Sequence, residues 1–219
     1  MASILITGAE TGLGLALTRA FIDAGDHVAA LCRETSAELD ALAPEVHHGV
    51  DVTNPAAVYR AATEMGDAAI DVLINNAGIM IEDDLDRIDI AAVRLQFEVN
   101  TLAPLNVALA FRRRLRNGSK LINISSRLGS IGDNESGDDY GYRMSKAAQN
   151  MLTSNLAAEL GKEDVIVAAL HPGIVATGMT NGKGTPADEA ARNLKSVIDG
   201  LDTAMSGGFY NGAGERLPW

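Results

Sequence analysis

The hydrophobic residues of this chain fall into short unbroken runs, separated by longer stretches in which they recur every three or four positions. The runs are ILIT (4–7), HVAAL (27–31), VHHGV (46–50), DVLIN (71–75), KLINI (120–124), VIVAAL (165–170) and GGFYN (207–211). A strand with one wet face alternates apolar and polar residues, whereas a run that is apolar throughout suits a strand covered on both faces, as in a parallel sheet. The periodic stretches predict helices near 12–24, 55–65, 90–115, 142–160 and 187–199. The second of these is well marked, because Thr53 or Asn54 can cap it and Pro55 sits in its first turn, where no N–H is needed. Helix 142–160 sets Met144, Ala147, Ala148, Met151 and Leu152 along one apolar side. Strands and helices in this alternation predict an α/β fold: a doubly wound, seven-stranded parallel sheet with helices on both faces. No linker or internal repeat interrupts the series, so residues 1–219 read as a single domain.

With 219 residues, 47% of them hydrophobic, the chain can fill one sizeable core. It has no run of about 18 apolar residues, so no membrane span is expected. The N-terminal MASILITGAE enters the first strand without a basic leader. Cys32 is the only cysteine, which excludes an internal disulfide and a zinc cluster. These features predict a cytoplasmic protein. A formal net charge of −11 argues against nucleic acid as a partner, because binding a phosphate backbone needs a basic surface. The run RRRLR (112–116) does not change that, since it falls at the end of a predicted helix, where cations suit the dipole.

Three local patterns carry candidate chemistry. The first strand runs into TGAETGLG, with glycines at 8, 12 and 14. Glycines there let the backbone turn tightly and approach a diphosphate held at the N-terminus of the next helix. Their spacing, Gly-x-x-x-Gly-x-Gly, is not the Gly-x-Gly-x-x-Gly of the common dinucleotide fingerprint. The second pattern is DDYGYRMSK (138–146). Tyr142 and Lys146 are four apart and share a helix face, whereas Tyr140 and Lys146 are six apart and do not. The third is Pro104. Inside a helix spanning 90–115 it cannot donate to the carbonyl four residues back, which belongs to Asn100, and a freed carbonyl can hold a water.

In chain order, these patterns are joined by Asp51-Val52, Asn75-Asn76-Ala77-Gly78, Asn100 within FEVNTL, INISS ending at Ser126, and His171-Pro172-Gly173. The ordered set resembles the short-chain dehydrogenase/reductase family over nearly the whole chain. DYGYRMSKAAQNM and GGFYNGAGERLPW carry a narrower likeness to its small carbonyl-reductase branch, which includes the sniffer and C-factor proteins. The resemblance implies a Rossmann fold and a nicotinamide cofactor. It makes Tyr142 the proton donor to a carbonyl, with Lys146 lowering the phenol pKa and touching the nicotinamide ribose. Ser126 holds the carbonyl oxygen, and Asn100 holds a relay water. Gly8, Thr11, Gly12, Leu13 and Gly14 take the diphosphate. Asp51 and Val52 meet the adenine, Asn76, Ala77 and Gly78 line the adenosine and ribose side, and Pro172, Gly173, Ile174 and Thr177 frame the carboxamide. Tyr140 falls on the approach loop, within reach of substrate.

Members that prefer NAD carry an acid at the end of the second strand. Here that strand ends in Cys32-Arg33, and a guanidinium can pair with the 2′-phosphate that NAD lacks. NADP(H) is therefore the expected cofactor, in preference to NAD(H). The implied activity is NADPH-dependent reduction of a small aldehyde or ketone to an alcohol. An NADP(H)-bound redox-sensing or signalling protein is the alternative, but such a protein has no chemical need for Ser126, Tyr142 and Lys146 together. Ser126 and Tyr142 are sixteen positions apart, about three more than is common in the family, so the loop GDNESGDD carries an insertion on the substrate side. Met80, Arg127, Leu128 and Met179 are expected in the pocket wall. A homodimer through helices 90–115 and 142–160 is also implied.

Overall fold

The computed structural model describes residues 1–42 and 44–219. Its strands are β1 (Ser3–Thr7), β2 (His27–Leu31), β3 (Glu45–His47), β4 (Ile70–Asn75), β5 (Leu115–Ile124), β6 (Ile166–His171), β7 (Val175–Ala176), β8 (Thr185–Pro186) and β9 (Gly208–Asn211). The helices are α1 (Gly12–Asp23), α2 (Ala37–Leu42), α3 (Pro55–Glu64), α4 (Ile90–Phe97), α5 (Ala103–Phe111), α6 (Tyr140–Leu160) and α7 (Ala187–Gly200). Seven strands form one parallel sheet in the order β3-β2-β1-β4-β5-β6-β9. The small β7–β8 pair stands apart from it.

The unbroken apolar runs have the physical reason expected of them. Ile4 and Ile6 point into one core with Leu17 and Phe21 of α1 and Leu194 and Ile198 of α7. Leu5, between them, points into the opposite core with Val58 of α3 and Val107 and Phe111 of α5. Both faces of the sheet are covered, so neither set of alternating positions can be polar. The chain turns from one direction of strand addition to the other between β1 and β4, and the carboxyl ends of all seven strands open on one edge there. In a doubly wound sheet that edge is where ligands bind.

Several boundaries differ from the sequence reading. α3 begins as predicted: Asn54 is its cap, accepting the N–H groups of Ala56 and Ala57 at 3.0 and 3.3 Å. The single helix expected over 90–115 is instead α4, a π-helical segment (Glu98–Leu102), α5 and a 3-10 turn (Arg112–Arg114), with β5 starting at Leu115. The π segment answers Pro104. One turn ahead of the proline the ladder slips a residue, and the N–H of Ala103 donates to Glu98, five residues back. The run RRRLR is thus split between the 3-10 turn and the start of a strand.

The face of α6 that turns inward is also not the one its apolar residues suggest. Ser145, Lys146, Gln149, Asn150 and Thr153 are buried, while Met144 and Met151 are exposed. The helix starts two residues before the predicted boundary, so Tyr140 is its first residue and not part of a loop.

Candidate active site

The glycine-rich turn between β1 and α1 is packed too closely for side chains. A Cβ on Gly14 would lie 2.0 Å from Gly8 O and 2.5 Å from Asn76 Nδ2. Asn76 is what closes the turn: its Nδ2 donates to the carbonyls of Thr7 and Gly8, each at 3.0 Å. In return the Thr7 hydroxyl accepts the N–H groups of Asn76 and Ala77 at 3.0 and 3.1 Å. Among the described residues no side chain caps the start of α1, where Thr11, Gly12, Leu13 and Gly14 face a cleft. First-turn N–H groups without an internal partner attract an anion.

The Asn75–Gly78 stretch continues into a segment clamped by two amides. Asn100 Oδ1 accepts the N–H of Ile79 at 2.9 Å and its Nδ2 donates to Ile79 O at 2.8 Å. Gln96 does the same for Ile81, at 3.0 and 3.2 Å. The match is geometric, because four residues of helix rise about 6 Å and two residues of strand about 6.6 Å. Asn100 Nδ2 also donates to Ser145 Oγ at 3.0 Å, and Thr101 Oγ1 to Ser145 O at 2.8 Å, tying the π segment to α6. The side chain of Asn100 is therefore committed to the protein, and it lies behind the cleft and not in its lining. Around Asn100 the α-helical ladder expected ahead of Pro104 is replaced by a π register.

Asp83, from the segment after β4, seats the start of α6. Its carboxylate accepts the N–H groups of Tyr140 and, at 3.0 Å, Gly141, and its carbonyl accepts the N–H of Asp139 at 2.8 Å. A carboxylate at a helix N-terminus is favoured by the dipole. Here it also fixes where Tyr142 stands, one residue further on. Asp138 and Asp139 take left-handed conformations as the lengthened loop turns into the helix.

Ser126, Tyr142 and Lys146 are all nearly buried and line the same cleft of about 1410 Å³ as the glycine-rich turn. Arg33, Asp51, Val52, Asn76, Ala77, Gly78, Pro172, Gly173, Ile174 and Thr177 line it too, as do Met80, Arg127, Leu128 and Met179. Tyr140 does not. Lys146 Nζ donates to Ile124 O at 2.8 Å and to Gln149 Oε1 at 3.0 Å, and stands 5.8 Å from the centre of the Tyr142 ring. Ser126 Oγ accepts the N–H of Leu128 at 3.2 Å, which leaves the hydroxyl proton free to donate.

Burial dominates the electrostatics. It pushes the Tyr142 phenol up to about 12, against the pull of the Ser126 hydroxyl and with a further push from Asp139. It lowers Lys146 to about 7. Burial thus moves both groups toward their uncharged forms, and the lysine is not among the influences that set the phenol in the chain alone. His171 is pushed down to about 4 by burial and then by Arg127, and stays neutral. Cys32 is pushed up to about 11 by burial, with Glu10 and Asp40 adding to it, which makes it a poor nucleophile. Asp51 is held below the usual carboxylate range by the Thr53 hydroxyl and N–H, at 2.7 and 2.9 Å, with help from Arg33.

A short chain dehydrogenase family model matches residues 2–188. The chain is 38% identical over 227 aligned positions, covering the whole of both proteins, to 1-hydroxy-2-glutathionyl-2-methyl-3-butene dehydrogenase of Rhodococcus sp. strain AD45. It is 39% identical over 162 positions to C-signal of Myxococcus xanthus, covering 72% of this chain and 98% of that one. Among solved structures it matches the carbonyl reductase Sniffer of D. melanogaster, with a TM-score of 0.93, 30% identity and full coverage of both chains. It also matches NADPH-bound carbonyl reductase from chicken fatty liver, with a TM-score of 0.90, 30% identity and coverage of 100% and 99%.

Burying Lys146 without a counter-charge has a measurable signature. Its folded value of about 7 lies below its ordinary 10.5, so between these the unfolded chain binds a proton that the folded protein does not. Stability therefore falls as pH drops through that window, and the full cost is present below it. Lys146→Met should raise the melting temperature at pH 7, by a stability gain on the order of a few kcal/mol, and the gain should shrink toward pH 10. Thermal unfolding of both proteins across that range checks it; a gain independent of pH would contradict the burial of an uncompensated amine.

Proposed function

Because the chain belongs to the short chain dehydrogenase family, we propose that it reduces the carbonyl of a small aldehyde or ketone to an alcohol with NADPH. The observation that carries this reading is that Ser126, Tyr142 and Lys146 meet in the same cleft that the glycine-rich turn opens onto. The cradle at Gly14, too close for any Cβ, and the uncapped start of α1 fit a diphosphate of the cofactor. Bound there, a reduced nicotinamide would supply a hydride to the carbonyl carbon.

The chain's own residues handle the oxygen. Ser126, whose hydroxyl proton is free, donates to the carbonyl oxygen and holds it at Tyr142. A phenol held up near 12 keeps its proton at neutral pH, so Tyr142 has one to give, and an alkoxide is a stronger base than a phenolate. Lys146, one turn along α6, stabilises the phenolate left behind when it carries its proton.

Preference for NADP(H) is supported by Arg33. It is exposed on the cleft wall at the end of β2, beside Cys32, where an acid would otherwise grip a ribose. The chicken reductase, bound to NADPH in its own structure, is consistent with this. A homodimer is supported by exposed apolar side chains, Leu102 of the π segment and Met144 and Met151 of α6, on two elements that pack together. A cytoplasmic location belongs to the same proposal, supported by the free buried thiol of Cys32. A second reading, an NADP(H)-bound signalling protein with incidental turnover, is favoured by the likeness to C-signal.

Purified protein should consume NADPH with some member of a panel of aldehydes, ketones, diketones and quinones, or oxidise a glutathione-conjugated alcohol in reverse. Tyr142→Phe should lose about 100-fold or more of that rate; binding of NADPH with no turnover on the panel would move the assignment to signalling. Arg33→Ala should weaken NADPH binding about ten- to a hundredfold and leave NADH nearly unchanged, and equal losses would refute the 2′-phosphate contact. In sedimentation velocity the protein should run as a dimer and Met151→Glu as a monomer; a monomeric parent protein ends the dimer proposal.

A further inference from the structure

The inward face of α6 carries a polar side chain that the reading above does not use. Gln149 lies three residues beyond Lys146, on the same side of the helix, and is fully buried. Its Oε1 accepts from Lys146 Nζ at 3.0 Å, beside the bond that Nζ makes to Ile124 O. Its Nε2, equally buried, has no partner. A buried amide with one end unsatisfied lowers stability, and a leucine would occupy the site without that penalty. What Gln149 contributes is therefore its oxygen, and the group it serves is the lysine.

We propose that Gln149 is a positioning residue for Lys146: its side-chain carbonyl holds the ε-amino group against the end of β5 and favours the protonated form. This rests on the reading of Lys146 as the partner of Tyr142. The surroundings of Nζ leave few other groups for that task. Tyr142 is the titratable group on the same helix face, and Nζ lies 5.8 Å from its ring centre. The segment after β4 approaches Nζ through Gly78, and the segment after β5 rests on the lysine's backbone through Gly129, and neither brings a side chain. α4 and the π segment present Gln96 and Asn100, neutral amides already engaged with Ile81 and Ile79. β6 brings His171, which is neutral, and Arg127 at the cleft wall is paired with Asp133 at 2.7 Å. Burial pulls Lys146 down, and no charged neighbour offsets it. Two carbonyl oxygens, those of Ile124 and Gln149, are left to stabilise an ammonium, and only the second belongs to a side chain.

The test is a pH titration of the Lys146 resonance in cofactor-free protein carrying lysine labelled with ¹³C at Cε, assigned by its loss in Lys146→Met. Gln149→Leu should lower the midpoint by about one pH unit, the scale of one hydrogen bond to a charged group. Gln149→Met, which keeps the length but not the oxygen, should move it the same way, and Gln149→Glu should raise it. An unchanged midpoint in both Gln149→Leu and Gln149→Met overturns the proposal. The titration needs no turnover: if the midpoint moves in a protein that reduces no carbonyl, the assignment of Gln149 stands and the reductase reading falls. If turnover is present, the alkaline limb of kcat should move with the midpoint while KM for the carbonyl stays put.

Discussion

Every strand of the main sheet ends on the same edge, and the backbone groups released there need partners that the sheet can no longer provide. The molecule supplies them largely from side-chain amides and hydroxyls. Thr7 and Asn76 stitch the end of β1 to the segment after β4. Asn100 and Gln96 stand in for a neighbouring strand along Ile79 and Ile81. Deeper in, Asn75 donates to Asn123 and Asn123 to Thr153, carrying the same satisfaction from β4 through β5 to α6. Lys146, donating to Ile124 O at the end of β5, is one more member of the set. The cleft is the space these links leave open, so its shape is held by hydrogen bonds whose loss would strand buried polar groups.

The same dryness sets the chemistry. Tyr142 and Lys146 are both moved toward their uncharged forms, in opposite directions on the pH scale, and for the same cause. The one other charge that α6 brings to the cleft, Arg143, is paired with Asp138 at 3.0 Å and is not among the influences on either group. What the helix brings instead is Gln149, a dipole and not an ion, together with Asp83 at its start, which fixes the register of the helix and so the height of Tyr142 above the cleft floor.

Much of this was legible from residue order. Continuous apolar runs disclosed strands covered on both faces, and the spacing of Gly8, Gly12 and Gly14 disclosed a turn too tight for side chains. The four-residue interval chose Tyr142 over Tyr140, and only Tyr142 lines the cleft. The errors share a cause, which is that periodicity reports hydrophobicity and not direction. The apolar stripe of α6 through Met144 and Met151 faces outward, and its polar stripe faces in, because the site it walls is polar. Pro104 announced a disturbance, but not whether the ladder would open or slip; it slipped into a π segment, where the Asn100 side chain clamps Ile79. Asp83 and Gln149 gave no local signal, since their partners lie 57 or 58 positions away in one case and on an unremarkable helix turn in the other.

Gly129 sets a boundary between what can vary here and what cannot. A Cβ there would lie 2.7 Å from both the Cβ and the carbonyl carbon of Lys146, so the chain leaving Ser126 rests directly on the backbone of α6. Only a few residues later the loop of 132–139 is turned out to solvent in large part, its length set by nothing so close. The loop is in effect a bridge, footed at its root against the lysine and at its far end on Asp83, with lighter ties to Arg127, Arg143 and Trp219 between. Between those two feet the chain borders the cleft through Asp133, Glu135 and Ser136, so a change of length there reshapes the cleft mouth before it reaches the groups on α6.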